Sequence, residues 1–226
     1  MKLPDKIKYI LPALDRLYPR SHTALCFRNP LEMLVATILS AQCTDKKVNE
    51  VTAVLFKKYR RAEDFAQASL EALEADIRPT GFFHNKAKSL RNCCTELIRR
   101  HGGQVPRTME ELTALPGIGR KTANVVLGSA FGIPGIVVDT HVGRITQRLG
   151  LTRERDPVKI EFALMPLIPQ DHWILFSHQL ILHGRTLCSA RFPKCSECPL
   201  RPDCDYGTAR EREAGGRKNE VSQGKR

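Results

Sequence analysis

Aromatic residues are scarce here, at 6% of 226 residues with a single tryptophan. A chain so poor in flat side chains has little with which to build the stacking platforms of single-strand-binding proteins. Long apolar runs are missing as well. No stretch approaches the roughly 18 uninterrupted apolar residues that a membrane crossing needs. Met1 to Lys6 holds no apolar segment of the kind that directs secretion. Strand-like patterning is confined to the brief run from Gly135 to Val138, which reads as an extended connector. These absences set aside membrane, secreted and β-rich classes. They lead us to expect a soluble, cytoplasmic and nucleoid-associated protein whose thiols stay reduced. The last deficit is acidic charge. Against 36 Lys and Arg stand 24 Asp and Glu, giving a formal net charge of +12 and a pI near 9.5. Such an excess points to a polyanion partner, nucleic acid first.

What the chain has in abundance is helical periodicity. Lys2 to Tyr18 places Leu3, Ile7, Ile10, Leu11, Leu14 and Leu17 on one face and stops at Pro19. Pro30 opens a strongly apolar helix over Leu31 to Ser40, and Thr44 can cap the next, with Val48, Val51, Leu55 and Tyr59 together. Ser69 starts a short helix ending before Pro79, and Asn85 to Arg100 forms another, closed by Gly102 and Gly103. Further on, Thr140 caps a helix ending at Gly150, Asp156-Pro157 starts the next, and Asp171 opens a last long helix ending at Gly184. The fold class is therefore all-α, without internal repeats. After Tyr206 the composition turns to Gly, Arg, Lys, Glu and Ser, so 211–226 is expected to be a disordered basic tail.

Three constellations carry chemistry. The first is Leu115-Pro116-Gly117-Ile118-Gly119-Arg120-Lys121-Thr122-Ala123, a hairpin between two short helices spanning 108–131. Thr108-Met109-Glu110-Glu111 is a capping-box pattern, and Ala123, Val126, Leu127 and Ala130 mark the second helix up to Gly132. Gly117 and Gly119 remove side chains where the backbone bends sharply or meets a partner closely, and the amides of such a turn suit a phosphate oxygen. Lys121 stands out. A cation in the first helical turn opposes the macrodipole, and Arg120 repels it; both effects, with any burial, favour the neutral, nucleophilic amine. The plainer alternative is that Arg120 and Lys121 neutralise phosphates.

The second is Val137-Val138-Asp139-Thr140-His141-Val142-Gly143-Arg144. Asp139 reads first as a helix N-cap. Thr140 would cap equally well, which would free Asp139 to face a reacting group. Arg144 and Arg148 fall i and i+4 on one face, a candidate phosphate-binding stripe, while His141 reads as packing. The third is the run Cys188, Cys195, Cys198 and Cys204, spaced C-x6-C-x2-C-x5-C. Four cysteines so close in a reduced chain argue for metal, and the spacing admits an iron–sulfur cluster or zinc. Arg191 and Lys194 lie between the first two ligands, where a metal scaffold would project them toward DNA. Cys26, Cys43, Cys93 and Cys94 read as core packing.

Together, and with Leu39-Ser40-Ala41-Gln42-Cys43-Thr44-Asp45, these stretches resemble the endonuclease III family of bifunctional DNA glycosylases over residues 1 to 206. The resemblance implies two helical domains with a DNA-binding cleft between them. One is a six-helix barrel at 23–133, and the other an iron–sulfur domain built from 1–22 and 134–210. It implies Lys121 as nucleophile, Asp139 as catalytic carboxylate, and a 4Fe–4S cluster on Cys188, Cys195, Cys198 and Cys204. Gln42 would fill the space left by an extruded nucleotide, and Phe82 or Phe83 would wedge the duplex where the family often carries leucine. Gly117, Gly119, Arg120, Arg144, Arg191 and Lys194 complete the expected DNA contacts. The expected partner is double-stranded DNA with damaged pyrimidines or abasic sites, bound by a monomer with no membrane involved. Adenine-mismatch relatives carry a catalytic glutamate where this chain has Ile38, and thymine-mismatch relatives replace the lysine. A non-catalytic hairpin protein with structural zinc is the alternative of another class.

Overall fold

In the computed structural model, residues 3–209 are described; the tail expected at 211–226 lies outside them. Cap-forming side chains set where most helices begin. Asn29 accepts from the Glu32 amide, Thr44 from Lys47, Ser69 from Ala72, and Asp156 from both Val158 and Lys159. The helices are α1 (Leu3–Leu17), α2 (Pro30–Leu39), α3 (Asp45–Lys58), α4 (Ala62–Gln67), α5 (Leu70–Ile77), α6 (Phe83–His101), α7 (Met109–Thr113), α8 (Arg120–Phe131), α9 (Thr140–Arg148), α10 (Pro157–Leu164) and α11 (Trp173–Thr186). No strand occurs among the described residues, and 135–138 is extended connector. Nor is any helix among them long and apolar enough to cross a membrane. The six-residue α4 has no counterpart in the periodicity, being too short to show any. Its first turn is held instead by Asp64, which accepts from the Arg60 and Arg61 amides.

The chain divides into two compact units, Thr23–Gly135 and the pair Met1–His22 with Ile136–Arg226. In the first, α6 packs against α4, α5 and α2, and α2 against α8. Met33, Leu34, Leu39, Phe65, Leu73, Leu90 and Leu97 are fully buried there, each contributing about 1.5–3 kcal/mol by leaving water. In the second, α11 packs against α9 and α1 around Ile10, Leu14, Val142, Phe176 and Leu180.

The last helix departs from its expected limits. A 3-10 turn occupies Gln170–His172, so α11 starts at Trp173, and it runs past Gly184 to Thr186. Gly184 does not stop the helix. It is buried, and a Cβ there would press on the His141 ring of α9, whose own Cβ is 2.9 Å away. The glycine thus permits a close helix crossing, which sequence periodicity does not reveal. Cys93 and Cys94 are buried as expected, and burial pushes the Cys93 thiol up to about 12; Cys26, in contrast, is exposed before α2.

Gly150 ends α9 with φ +74. The buried Lys6 ammonium donates to the Leu149 carbonyl at 2.9 Å and pairs with Asp205, and a Cβ on Gly150 would meet both charged groups. Gly132 shares the left-handed backbone, φ +66, but a Cβ there meets nothing within 4 Å. Gly132→Ala is therefore expected to cost about 1–2 kcal/mol from strain alone. Gly150→Ala adds the displaced ion pair and should cost about 3 kcal/mol. Urea unfolding of both variants measures the difference; equal losses would show that Asp205 moves aside freely.

Candidate active site and cysteine loop

The hairpin is built from buried anchors and an exposed tip. Leu112, Leu115 and Ile118 are buried, and the Ile118 amide donates to the Leu115 carbonyl at 3.2 Å. The Thr108 hydroxyl oxygen accepts from the Glu111 amide, 3.2 Å, and the hydroxyl donates to the Glu111 carboxylate, 2.7 Å. Only half of the expected capping box forms, because the carboxylate takes the hydroxyl proton and leaves the Thr108 amide aside. Gly117 adopts φ +78, which a side chain would strain, but Gly119 does not need its glycine for conformation, with φ −92. Gly119 is the N-cap of α8 without any capping side chain, and a Cβ there would meet nothing within 4 Å. A bare helix start with open space before it suits an approaching anion. Lys121 is exposed, and its side chain makes no hydrogen bond or ion pair among the described residues.

The structure bears out the first reading of Asp139, and not the Thr140 cap. Asp139, rather than Thr140, is the N-cap of α9; its Oδ1 accepts from the His141 and Val142 amides, both at 2.8 Å. Thr140 is displaced into the first helical turn and exposed. The buried 136–138 run delivers Asp139 to this boundary, and the Ser177 hydroxyl oxygen accepts from the Val137 amide at 2.9 Å. Both amides use the same oxygen. Oδ2 makes no hydrogen bond among the described residues, so capping and an outward role are compatible. His141 packs as expected against Gly184, and burial moves its imidazole below the usual range.

Two residues other than glycine have positive φ among the described residues: Gln42, φ 52, and Phe82, φ 49. Left-handed backbone at a bulky residue is strained, and such strain gathers at functional turns. Phe82 is 61% exposed. Phe83 behaves differently. It is the first residue of α6, half-buried against the core, with the Arg78 guanidinium 5.6 Å over its ring. Of the pair, only Phe82 is exposed. A buried lysine that sequence reading left unremarked supports this turn: Lys86 donates to the Thr80 carbonyl at 2.8 Å, and burial lowers its pKa. The signal was a lysine four residues after Phe82 and beside Ala87 and Leu90 on an otherwise apolar stripe.

The arginine stripe also needs correction. Arg144 turns inward, donating to the Cys188 carbonyl at 2.9 Å and contacting His141 Nδ1 at 3.1 Å, and its Nε is buried without a partner. Arg148 donates to the carbonyls of Ser189, 2.7 Å, and Ala190, 2.8 Å, and to Cys188 Sγ, 3.2 Å. Just past the end of α11, the loop carbonyls 188–190 have no helical partners, and the two guanidinium forks supply donors. Both arginines are thus half-buried with their guanidinium groups held by loop carbonyls.

Cys188, Cys195, Cys198 and Cys204 all line one pocket. N–H donors point at two of the sulfurs, Arg148 at Cys188 at 3.2 Å and Gly207 at Cys204 at 3.3 Å; the His183 Nε2 lies 3.6 Å from Cys198 Sγ, and Cys204 Sγ lies 3.2 Å from the Arg148 carbonyl. Donors aimed at sulfur suit thiolate ligands, which accept only. Among the described residues, no three Cys, His, Asp or Glu side chains converge in a way that could hold a metal ion. Four cysteine sulfurs lining one pocket are the ligand set that a 4Fe–4S cluster takes. On the outer side of the loop, Arg191 and Lys194 are exposed, and their side chains have no partner among the described residues. Phe192 between them is 84% exposed.

Comparison with known proteins places these features in a family. The model of the HhH-GPD superfamily base excision DNA repair proteins matches residues 35–170. Endonuclease III of Synechocystis sp. is 52% identical over 201 residues, which is 88% of this chain and 92% of that protein. A solved non-covalent endonuclease III–DNA complex superimposes with a TM-score of 0.89 at 46% identity, covering 94% of this chain and all of the other. A trapped covalent endonuclease III–DNA intermediate gives 0.89 at 45% identity, covering 93% and 100% of the two chains.

Proposed function

Because the chain belongs to the endonuclease III family, within the HhH-GPD superfamily, we propose a reading of its chemistry residue by residue. The protein is a base-excision-repair DNA glycosylase with AP lyase activity. Its substrate, in our reading, is duplex DNA carrying oxidised pyrimidines or abasic sites, which it engages as a cytoplasmic, nucleoid-associated monomer.

Lys121 attacks C1′ of the damaged nucleoside as the neutral amine. A C1′–N bond to lysine forms while the bond to the base breaks, and the base leaves with the electron pair and takes up a proton. Ring opening yields a protonated Schiff base, which acidifies C2′–H. Loss of that proton expels the 3′ phosphate by β-elimination and cuts the strand, and hydrolysis of the imine returns the lysine. Asp139 takes the lysine proton and stabilises cationic character at the sugar. The observation that carries this reading is the exposed Lys121 amine, unpartnered at an uncapped helix start.

Extruding the nucleotide costs a few kcal/mol, less at a damaged pair. Gln42 fills the vacated space and Phe82 wedges the stack. Both project from strained turns, which supports their insertion. The Gly117–Gly119 turn and Arg120 hold phosphate. Cys188, Cys195, Cys198 and Cys204 would hold a 4Fe–4S cluster, which supplies a rigid hub for the loop bearing Arg191 and Lys194. Those two side chains contact phosphates.

Wild-type protein mixed with a thymine glycol duplex and then borohydride should give a covalent adduct, and should nick the strand without hydride. A non-catalytic hairpin binder would retain the DNA yet do neither. Arg191→Ala should lower affinity for all sequences and flatten the slope of log K against log salt by about one. An unchanged slope in a salt titration would remove that loop from the DNA interface.

A further inference from the structure

His183 is 2% exposed yet engaged at both ring nitrogens. Nδ1 lies 3.1 Å from the Tyr18 hydroxyl and Nε2 lies 3.6 Å from Cys198 Sγ. The Tyr18 hydroxyl continues to Thr186 Oγ1 at 2.9 Å, and its ring meets the imidazole edge-on, 5.9 Å between centroids. The main chain of His183 is engaged too: its carbonyl accepts from the Leu187 and Cys188 amides at 3.0 and 2.8 Å. One residue of α11 therefore holds the first cysteine through its backbone and the third through its ring, while the end of α1 holds the ring.

We propose that His183 donates from Nε2 to the Cys198 thiolate of the bound cluster, oriented by Tyr18, and that this bond raises the cluster's reduction potential. The inference rests on the four-cysteine 4Fe–4S reading above. A ligating cysteine is a thiolate and only accepts, so the bond requires the proton on Nε2. A neutral imidazole carries one proton, which leaves Nδ1 as acceptor; the Tyr18 hydroxyl then donates to Nδ1 and accepts from Thr186 Oγ1, whose proton turns to it from the Leu182 carbonyl 2.9 Å away. This tautomer control is the usual part of an outer-shell partner at a metal site. Donation draws negative charge from sulfur, which stabilises the more negative, reduced cluster, and so moves the potential upward. Arg148 and the Gly207 amide act on other sulfurs. The His183 bond, like that of the buried Gly207 amide, is neutral and shut away from solvent, where a hydrogen bond is electrostatically stronger.

The test uses the full-length holoprotein with iron counted before any potential is measured. His183→Leu removes the donor, and His183→Gln restores an N–H near the Nε2 position. Tyr18→Phe leaves the ring but frees its tautomer. Protein-film voltammetry should show the potential lower in His183→Leu, returned toward wild type in His183→Gln, and lowered by less in Tyr18→Phe. Equal potentials in iron-loaded wild type, His183→Leu and Tyr18→Phe overturn the inference and leave the cluster reading standing. Iron-free wild-type protein overturns both. Should His183→Leu fail to fold, the potential of Tyr18→Phe against wild type decides.

Discussion

Lys121→Ala is expected to abolish the borohydride-trapped adduct and to cut strand scission by at least about 10³-fold, the scale of losing a covalent nucleophile. The fold should not suffer. Lys121 is exposed in the first turn of α8 and its side chain touches no partner. Alanine is the better helix former, and removing a cation from the positive end of the macrodipole favours the helix by a few tenths of a kcal/mol. Thermal unfolding should therefore be unchanged or slightly raised. Binding to a duplex with a non-cleavable abasic analogue should weaken only as one lost charge predicts, reducing the salt slope by at most about one. Chemistry and binding thus separate in one variant. An adduct that survives in Lys121→Ala would place the nucleophile on another amine. Scission near the wild-type rate, with no adduct in either protein, would remove the Schiff base from the mechanism.

Local rules made the hairpin that carries Lys121 legible. Thr108, Pro116, Gly117 and Gly132 each act on their own few residues, so the turn and the start and stop of α8 follow from sequence within one position. Gly117 needs its positive φ, whereas Gly119 has an ordinary φ and empty space ahead and serves as the α8 N-cap, a position glycine favours. What remained hidden depended on distant partners. Arg144 and Arg148 share a helical face, as spacing predicts, but spacing cannot tell that loop carbonyls 188–190 lie opposite and claim both guanidinium groups. Gly184 carries the signature of a helix stop, and only the His141 ring against it explains why the helix continues. Phe82 and Phe83 are adjacent and alike in sequence, yet the left-handed turn at Phe82 sends one outward while the start of α6 turns the other onto the core. The His183–Tyr18 pair joins residues 165 positions apart, with no local signal at all.

The remaining large effect is at Asp139, where structure and chemistry share one side chain. Its Oδ1 caps α9 and its Oδ2 makes no hydrogen bond among the described residues. Asn keeps an oxygen for the His141 and Val142 amides and is as good an N-cap as Asp, so Asp139→Asn should hold stability within a few tenths of a kcal/mol. It loses the carboxylate charge and the ability to take a proton, and single-turnover base release should fall by about 10²-fold or more. Asp139→Ala loses the cap as well, which adds about 1 kcal/mol of destabilisation without a comparable further loss of rate. The two reaction steps should respond unequally. Base release needs both proton removal from lysine and support of a cationic sugar, whereas a preformed abasic site presents an aldehyde and needs only the first. Asp139→Asn should therefore slow release of thymine glycol more than cleavage of an abasic duplex. If Asp139→Asn turns over at the wild-type rate while Asp139→Ala is merely less stable, the carboxylate is a helix cap and nothing more. Equal slowing on both substrates would confine its role to the proton on Lys121.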